Sequence, residues 1–159
     1  MWGNNGGDGF AVARQLFTRS LYKQLTVWEL FDAGQLSGDA KANRQMLAAC
    51  GCPVVRELPD DGNLATVLVD AILGTGLKGA ARGPSLEGIK GLNERFPLAK
   101  RLSVDIPSGL ATDTPDAPGE FVKTDITVTF TAAKRSQCLP PSCEWMGRLI
   151  IAPIGSPPD

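Results

Sequence analysis

The chain has 159 residues, of which 43% are hydrophobic and 21% are charged, and its formal net charge is −1. This length predicts one domain with a substantial core, because chains of about 150 residues bury roughly 70% of their unfolded surface. The nearly neutral charge gives no electrostatic reason to expect nucleic acid or an anionic membrane as a partner. No apolar run approaches the roughly 18 residues of a membrane helix, so no membrane span is expected.

The titratable residues restrict the chemistry that the chain can perform. It has no histidine, so acid–base chemistry near neutral pH must use a carboxylate, lysine, tyrosine or cysteine. The four cysteines, at positions 50, 52, 138 and 143, do not have zinc-site spacing. We therefore expect reduced thiols in a cytoplasmic setting.

The first element in chain order is a glycine-rich segment, Gly3-Asn4-Asn5-Gly6-Gly7-Asp8-Gly9, followed by a helix from Phe10 to about Ser20. A glycine-rich loop that opens a helix presents backbone N–H groups at the positive end of the helix dipole, which suits a phosphate. Its spacing is neither that of a P-loop nor that of a G-x-G-x-x-G dinucleotide motif. The segment alone leaves an anion-binding loop and an ordinary tight turn equally open.

Further along, β-forming and apolar runs alternate with helical patterns. The predicted elements are a strand over 25–30, a helix over 37–50, an extended piece at 53–55, a strand over 64–69, a helix over 85–95, and strands over 102–106, 126–130 and 148–151. The near-continuous apolar run at 64–69 is typical of a strand buried on both faces. The alternation predicts an α/β fold, a three-layer αβα sandwich around a mainly parallel sheet.

Three polar segments are expected at one edge of this sheet: Asn4–Asp8, Asp70–Ala80 and Asp105–Gly109. Strand ends of parallel α/β sheets converge on the ligand crevice. Asp70 and Asp105 each end an apolar strand, where a carboxylate is costly unless it is paired or functional. Each could singly be a turn or capping residue, but together with two glycine-rich segments they favour a ligand site.

These segments carry a resemblance to a known family. Gly3–Gly9, Ser37-Gly38-Asp39-Ala40, Asp70–Leu77, Val104–Gly109, Thr127–Phe130 and Ile154-Gly155 occur in the family's order. The chain resembles the NAD(P)H-hydrate epimerase family, also called the YjeF N-terminal domain, along essentially its whole length. The resemblance implies a Rossmann-like αβα sandwich and an isomerase that interconverts the R and S epimers of NADHX and NADPHX, so that a separate dehydratase can restore the cofactor.

The resemblance also implies roles for individual residues. Asp105 would be the catalytic contact, and a potassium ion would be bound by Asn5, Asp70 and Ser108, whose oxygens suit a hard cation. The substrate would be held by Asp105 and by two segments, Asn4-Asn5-Gly6-Gly7-Asp8 and Gly74-Thr75-Gly76-Leu77-Lys78-Gly79-Ala80.

A mechanism follows from the chemistry of the substrate. Its hydroxyl sits on the carbon beside N1, whose lone pair can expel it as water and leave an iminium cation. Water that returns from the other face inverts the centre. A protonated Asp105 would assist the departure, and its carboxylate would then stabilise the cation and activate the returning water.

The chain departs from the family pattern at its start. Family members carry a helix and a strand before the glycine-rich segment, whereas only Met1 and Trp2 precede it here. We therefore expect residues 1–159 to be one N-terminally truncated domain, poorly active and prone to association, with organellar targeting left open. The resemblance implies a homodimer. The alternative is a non-catalytic module of the same fold, used for dimerisation and RNA binding, or an inactive fragment.

Overall fold

The computed structural model describes residues 4–58 and 64–155. These residues form two compact units, the first comprising the described residues up to 58 and the second those from 64 onward. No helix in either range is long and apolar enough to cross a membrane. All four cysteines are free thiols, as predicted.

The first unit contains two helices and a short parallel sheet. Its elements are α1 (Asn4–Thr18), β1 (Val27–Trp28), a 3₁₀ turn (Ala33–Gln35), α2 (Gly38–Ala49) and β2 (Val54–Val55). β1 and β2 pair in parallel, with Val27 opposite Val54. The strand predicted over 25–30 is therefore shorter than expected, while the helix predicted up to residue 50 and the extended piece at 53–55 are confirmed.

The core of the first unit lies between α1 and α2. Phe10 and Ala13 of α1 lie three residues apart, so they share one helix face, and they are buried together with Leu47 and Cys52. The two helices approach closely at Gly7, where an added Cβ would lie 2.9 Å from the Cα of Ala40. Only glycine permits this approach of the two backbones.

The described part of the glycine-rich segment, Asn4–Gly9, is helical, so the prediction of a loop before Phe10 is wrong there, while Gly3 lies outside the described residues. α1 begins at Asn4 and includes Gly6, Gly7 and Gly9. A glycine inside a helix costs about 1 kcal/mol relative to alanine. The contact of Gly7 with α2 and the burial of Phe10 offset that cost, and both depend on residues more than 30 positions away.

The second unit is a four-stranded parallel sheet with helices after its first and third strands. Its elements are β3 (Val67–Asp70), α3 (Pro84–Glu94), β4 (Lys100–Val104), β5 (Ile126–Phe130), α4 (Arg135–Cys138), a 3₁₀ turn (Ser142–Trp145) and β6 (Arg148–Ala152). The strand order is β3-β4-β5-β6, and every neighbouring pair is parallel. The α/β class and the mainly parallel sheet are thus confirmed, whereas no sequence pattern predicts α4 or the 3₁₀ turns.

β3 is less buried than its apolar sequence predicts. Val67 is 59% exposed and Val69 is 38% exposed, so the expectation of burial on both faces is wrong. β3 stands at one end of the strand order and pairs with β4 in this sheet. The strand retains a fully buried terminal residue, Asp70, which is 1% exposed.

Two side chains fix how β4 sits against its neighbours. The Arg101 guanidinium donates hydrogen bonds to the carbonyls of Leu92, Asn93 and Phe96, which closes the C-terminal end of α3. Asp125 accepts hydrogen bonds from the Arg101 backbone N–H and the Lys100 ammonium, each at 2.8 Å. The backbone bond from Arg101, followed by the Lys100 bond, lowers the pKa of Asp125. These contacts fix the start of β4 against the end of α3 and against Asp125, the residue before β5.

The loop after β4 is packed tightly at Gly109. Its φ is +104°, and an added Cβ would lie 2.2 Å from the carbonyl oxygen of Glu120. The Val122 N–H also donates to the carbonyl of Ser108 at 2.9 Å. The segment 120–122 therefore fixes the loop from one side.

Gly109→Ala is expected to lower the free energy of unfolding by about 3 kcal/mol, since a left-handed conformation costs about 1–2 kcal/mol and overpacking adds a similar amount. Gly79→Ala is the matched control, because Gly79 has a φ of +77° but open space around its Cβ position. Urea denaturation of both variants measures the difference. Equal losses in the two variants would contradict the packing argument.

Candidate active site

The Asp70 carboxylate joins the ends of β3 and β4. Its Oδ2 accepts hydrogen bonds from the Ser103 hydroxyl and the Ser108 N–H, both at 2.9 Å. Its Oδ1 accepts from the Ile72 N–H at 3.2 Å and from the Ser108 hydroxyl at 2.5 Å. A carboxylate offers about four lone-pair positions, and all of them are used here.

Burial and hydrogen bonding act on Asp70 in opposite directions. Removal from water raises its pKa, and this effect outweighs the bonds from Ser108, Ile72 and Ser103, which favour the charged form. Four donors therefore hold the Asp70 carboxyl group in place, although burial makes its ionised form energetically less favourable.

Ser108 connects Asp70 to the glycine-rich loop that follows β3. Its hydroxyl oxygen accepts a hydrogen bond from the Leu73 N–H at 2.8 Å. The hydroxyl has two acceptors within reach, Asp70 Oδ1 at 2.5 Å and the Leu73 carbonyl at 3.2 Å, but only one proton to donate. The segments 70–80 and 105–109 are thus brought together, as predicted, and Ser108 is the residue that joins them.

Asp105 follows β4 in a left-handed conformation, with a φ of +66°. Non-glycine residues adopt positive φ rarely, although aspartate and asparagine do so more often than most. Its backbone N–H donates to the Val128 carbonyl at 2.7 Å. The side chain is 15% exposed, so it is partly buried at the edge of the sheet.

Lys134 forms an ion pair with Asp105. Its ammonium donates to Asp105 Oδ1, to the Thr129 hydroxyl at 2.7 Å and to the Phe130 carbonyl at 3.4 Å. The Thr129 hydroxyl in turn donates to Oδ1 at 3.2 Å. No described residue donates a hydrogen bond to Asp105 Oδ2.

A buried amide fixes the backbones of the same two residues. Gln137, which is 4% exposed, donates from Nε2 to the Asp105 carbonyl at 2.7 Å. Its Oε1 accepts from the Lys134 N–H at 2.8 Å. One side chain therefore holds the loop after β4 and the loop after β5 in a fixed relation.

The predicted substrate-binding segments differ in their surroundings. In the loop 74–80, Thr75, Gly76, Lys78 and Gly79 are exposed. Ala80 lies under Gly119, where an added Cβ would be 2.9 Å from the Ala80 methyl. Asn4, Asn5, Gly6, Gly7 and Asp8 form the start of α1, in the first compact unit. Their approach to Asp70, Asp105 and Ser108 stays a prediction.

A family model described as YjeF-related protein N-terminus matches residues 2–136. The chain belongs to this family. The crystal structure of the yeast protein ynu0 is similar to it, with a TM-score of 0.69 and 23% identity over 95% of this chain and 62% of the yeast chain. That likeness supports the α/β fold.

Curated relatives match nearly the whole chain. A protein of Hyperthermus butylicus named bifunctional NAD(P)H-hydrate repair enzyme Nnr is 39% identical over 99% of this chain. A protein of Rhodopirellula baltica named NAD(P)H-hydrate epimerase is 31% identical over 98% of it. The chain spans 29% of the first relative's length and 64% of the second's.

Sequence reasoning did not identify Lys134, Thr129 or Gln137 as parts of the site. The rule that selected Asp70 and Asp105, a polar residue at the end of a strand, also applies to Thr129 near the end of β5. Lys134 precedes, and Gln137 lies in, a short helical turn beyond the strand, where a polar residue carries no pattern of its own.

The raised pKa of Asp70 predicts a pH dependence of stability. The folded state binds this proton more tightly than the unfolded state does, so the stability that Asp70 contributes is complete below its unfolded pKa and declines as the pH rises through its folded pKa. We therefore subtract the free energy of unfolding of Asp70→Asn from that of the native chain. This difference should fall with rising pH in potassium-free buffer.

Urea denaturation across a pH series measures this difference, and Asp125→Asn provides a control of opposite sign. The pKa of Asp125 is lowered, so its contribution is present above its unfolded pKa and is lost as the pH falls through its folded pKa. A difference for Asp70→Asn that rises with pH would show that its hydrogen bonds outweigh its burial.

Proposed function

We propose that this chain interconverts the R and S epimers of NADHX and NADPHX, and so acts as an isomerase in the repair of nicotinamide cofactors. The observation that carries the proposal is the Asp105 carboxylate, held in a left-handed conformation at the strand ends of a parallel sheet. Non-glycine residues in such conformations cluster at active sites. The names of relatives that match nearly the whole chain support the same activity.

The proposed chemistry requires a carboxyl group that changes its protonation during the reaction. Departure of the C6 hydroxyl as water takes one proton from Asp105 and leaves an iminium cation, with the N1 lone pair forming the new C=N bond. Water then adds to the opposite face of C6 and returns one proton to Asp105. While the cation exists, the Asp105 carboxylate stabilises it electrostatically.

The dinucleotide part of the substrate would be held by backbone groups. The loop 74–80 contains two exposed glycines, Gly76 and Gly79. An added Cβ at either position would meet nothing within 4 Å. Such positions let a phosphate approach the backbone closely. The first turn of α1, Asn4–Gly7, would supply further N–H groups at the positive end of a helix dipole.

A potassium ion would bind Asp70 and Ser108, with Asn5 as the third side chain. Oxygen ligands with a single carboxylate suit a monovalent hard cation. All lone-pair positions of Asp70 already accept hydrogen bonds, so binding requires one donor to withdraw. The Ser108 hydroxyl can do so by donating to the Leu73 carbonyl instead, which frees one Asp70 lone pair and turns an oxygen lone pair of Ser108 to the ion.

We further propose a functional partnership with an NAD(P)HX dehydratase and assembly as a homodimer. The word "bifunctional" in the names of relatives that are about three times as long as this chain favours the partnership. The epimers differ only at C6, so a dehydratase that accepts one of them needs a second activity to use the other.

Asp105→Asn should lower the rate of epimerisation by at least about 100-fold, the lower range of what a positioned acid–base group contributes. Asparagine also tolerates positive φ, so the loop should keep its conformation. Chiral chromatography of NADHX epimers measures the rate above the spontaneous background, and binding of NADP measures the nucleotide site. Asp113→Asn, at an exposed position, is the control.

Near-native turnover in Asp105→Asn, with the control also active, would remove Asp105 from the catalytic role. If the native chain binds RNA tightly and has no epimerase activity at all, the non-catalytic module is the correct function.

Potassium should raise the melting temperature relative to sodium at the same ionic strength, because a ligand that binds only the folded state stabilises it, by roughly 2.7 kcal/mol at 100 times its Kd. Ser108→Ala and Asp70→Ala should each abolish the response. The same melting temperature in potassium, sodium and choline chloride would contradict the cation site.

A further inference from the structure

We propose that Lys134 is a positioning residue that acts through Asp105. With Thr129 it holds the carboxylate by one oxygen, Oδ1, and leaves Oδ2 for the reacting group. This inference rests on the proposed epimerase function and names the residue that prepares its catalytic carboxyl group.

The first argument is the use of the ammonium N–H groups. An ammonium has three donors, and those of Lys134 find three acceptors in the chain: Asp105 Oδ1, Thr129 Oγ1 and the Phe130 carbonyl. A lysine whose donors are all used by the chain is poorly placed to give a proton to a substrate. Its positive charge and its N–H groups instead orient the Asp105 carboxylate.

The second argument is the asymmetry of the Asp105 carboxylate. Oδ1 receives hydrogen bonds from both Lys134 and Thr129. Oδ2 receives none from the described residues. The side chains around Asp105 therefore fix its rotation by one oxygen and leave the other available to a water molecule or a hydroxyl.

The third argument is that both residues are fixed through their backbones as well. Gln137 bonds to the Asp105 carbonyl and to the Lys134 N–H with the two ends of one buried amide. The side chains of Asp105 and Lys134 are only 15% and 21% exposed, so water screens the pair less than it would a surface ion pair. The ion pair is thus held in place by the chain's own side chains.

The consequence for the reaction concerns the period in which the iminium cation exists. Asp105 must then be a carboxylate, and the bonds from Lys134 and Thr129 to Oδ1 leave Oδ2 to face the cation. Removal of the ammonium should slow the chemical step and leave the binding of the dinucleotide unchanged, since three acceptors in the chain use the N–H groups of Lys134.

The kinetic test compares Lys134→Met with the native chain. We expect kcat to fall by about 100-fold, as for loss of a positioned acid–base group, while KM and the affinity for NADP stay close to their native values. Lys90→Met is the matched control, because Lys90 is an exposed lysine on α3. A native kcat in Lys134→Met, or a rise in KM that accounts for the whole effect, would overturn the proposal.

A second variant separates positioning from a general loss of charge. Lys134→Ala leaves space for a small amine, and propylammonium should restore part of kcat because it supplies N–H donors to Asp105 and Thr129. Tetramethylammonium has the same charge and no N–H donor, so it should restore none. Equal recovery with both ions would contradict the hydrogen-bonded role.

A measurement on the native chain tests the pairing independently of epimerase activity. The ¹⁵Nζ resonance of Lys134, assigned by its loss in Lys134→Met, should show slow proton exchange and should move in Asp105→Asn. The same resonance in the native chain and in Asp105→Asn would overturn the inference. If the native chain is inactive but the resonance still moves in Asp105→Asn, the proposed function is refuted and the pairing of Lys134 with Asp105 is retained.

Discussion

The site depends on one buried carboxylate. Asp70 ends β3 and accepts hydrogen bonds from Ser103 on β4, from Ser108 in the loop after β4 and from Ile72 in its own loop. A buried carboxylate without such donors would cost several kcal/mol. The two loops can therefore move apart only if Asp70 becomes exposed to water or loses its hydrogen-bond donors. The position of Ser108 is thereby fixed, and Asp105 lies three residues before it along the same short loop.

The features that could be predicted are those encoded locally. β5 has the predicted bounds. α3 begins at Pro84 and ends at Glu94, so each end of this helix lies one residue from its predicted position, because proline and the apolar periodicity mark the helix. The parallel order follows from alternating strands and helices. The glycine-rich start was misassigned because a glycine in a helix looks like a loop residue until its partner, here Ala40, is known.

The same distinction explains what was found in the site. Asp70, Asp105 and Ser108 lie at strand ends, which sequence order alone can locate. Lys134 became relevant only through the β4–β5 pairing, which sets Val104 opposite Val128 and so brings the two loops side by side. Gln137 belongs to a four-residue helical turn, too short for a periodic pattern. A residue that acts by bridging two loops cannot be identified until the positions of both loops are known.

Asp70 and Asp105 look alike in the sequence, since each follows an apolar strand of a parallel sheet, yet their surroundings differ in kind. Asp70 is 1% exposed and every lone pair is used, so it can accept a new ligand only if an existing donor turns away. Asp105 is held by a charge, keeps an oxygen without a donor among the described residues, and lies where solvent reaches it. A left-handed backbone costs Asp105 about 1–2 kcal/mol, which its bonds to Val128 and Gln137 offset. Hydrogen bonds to Asp70 therefore join two loops, whereas those to the backbone of Asp105 hold a side chain with one oxygen that no described residue donates to.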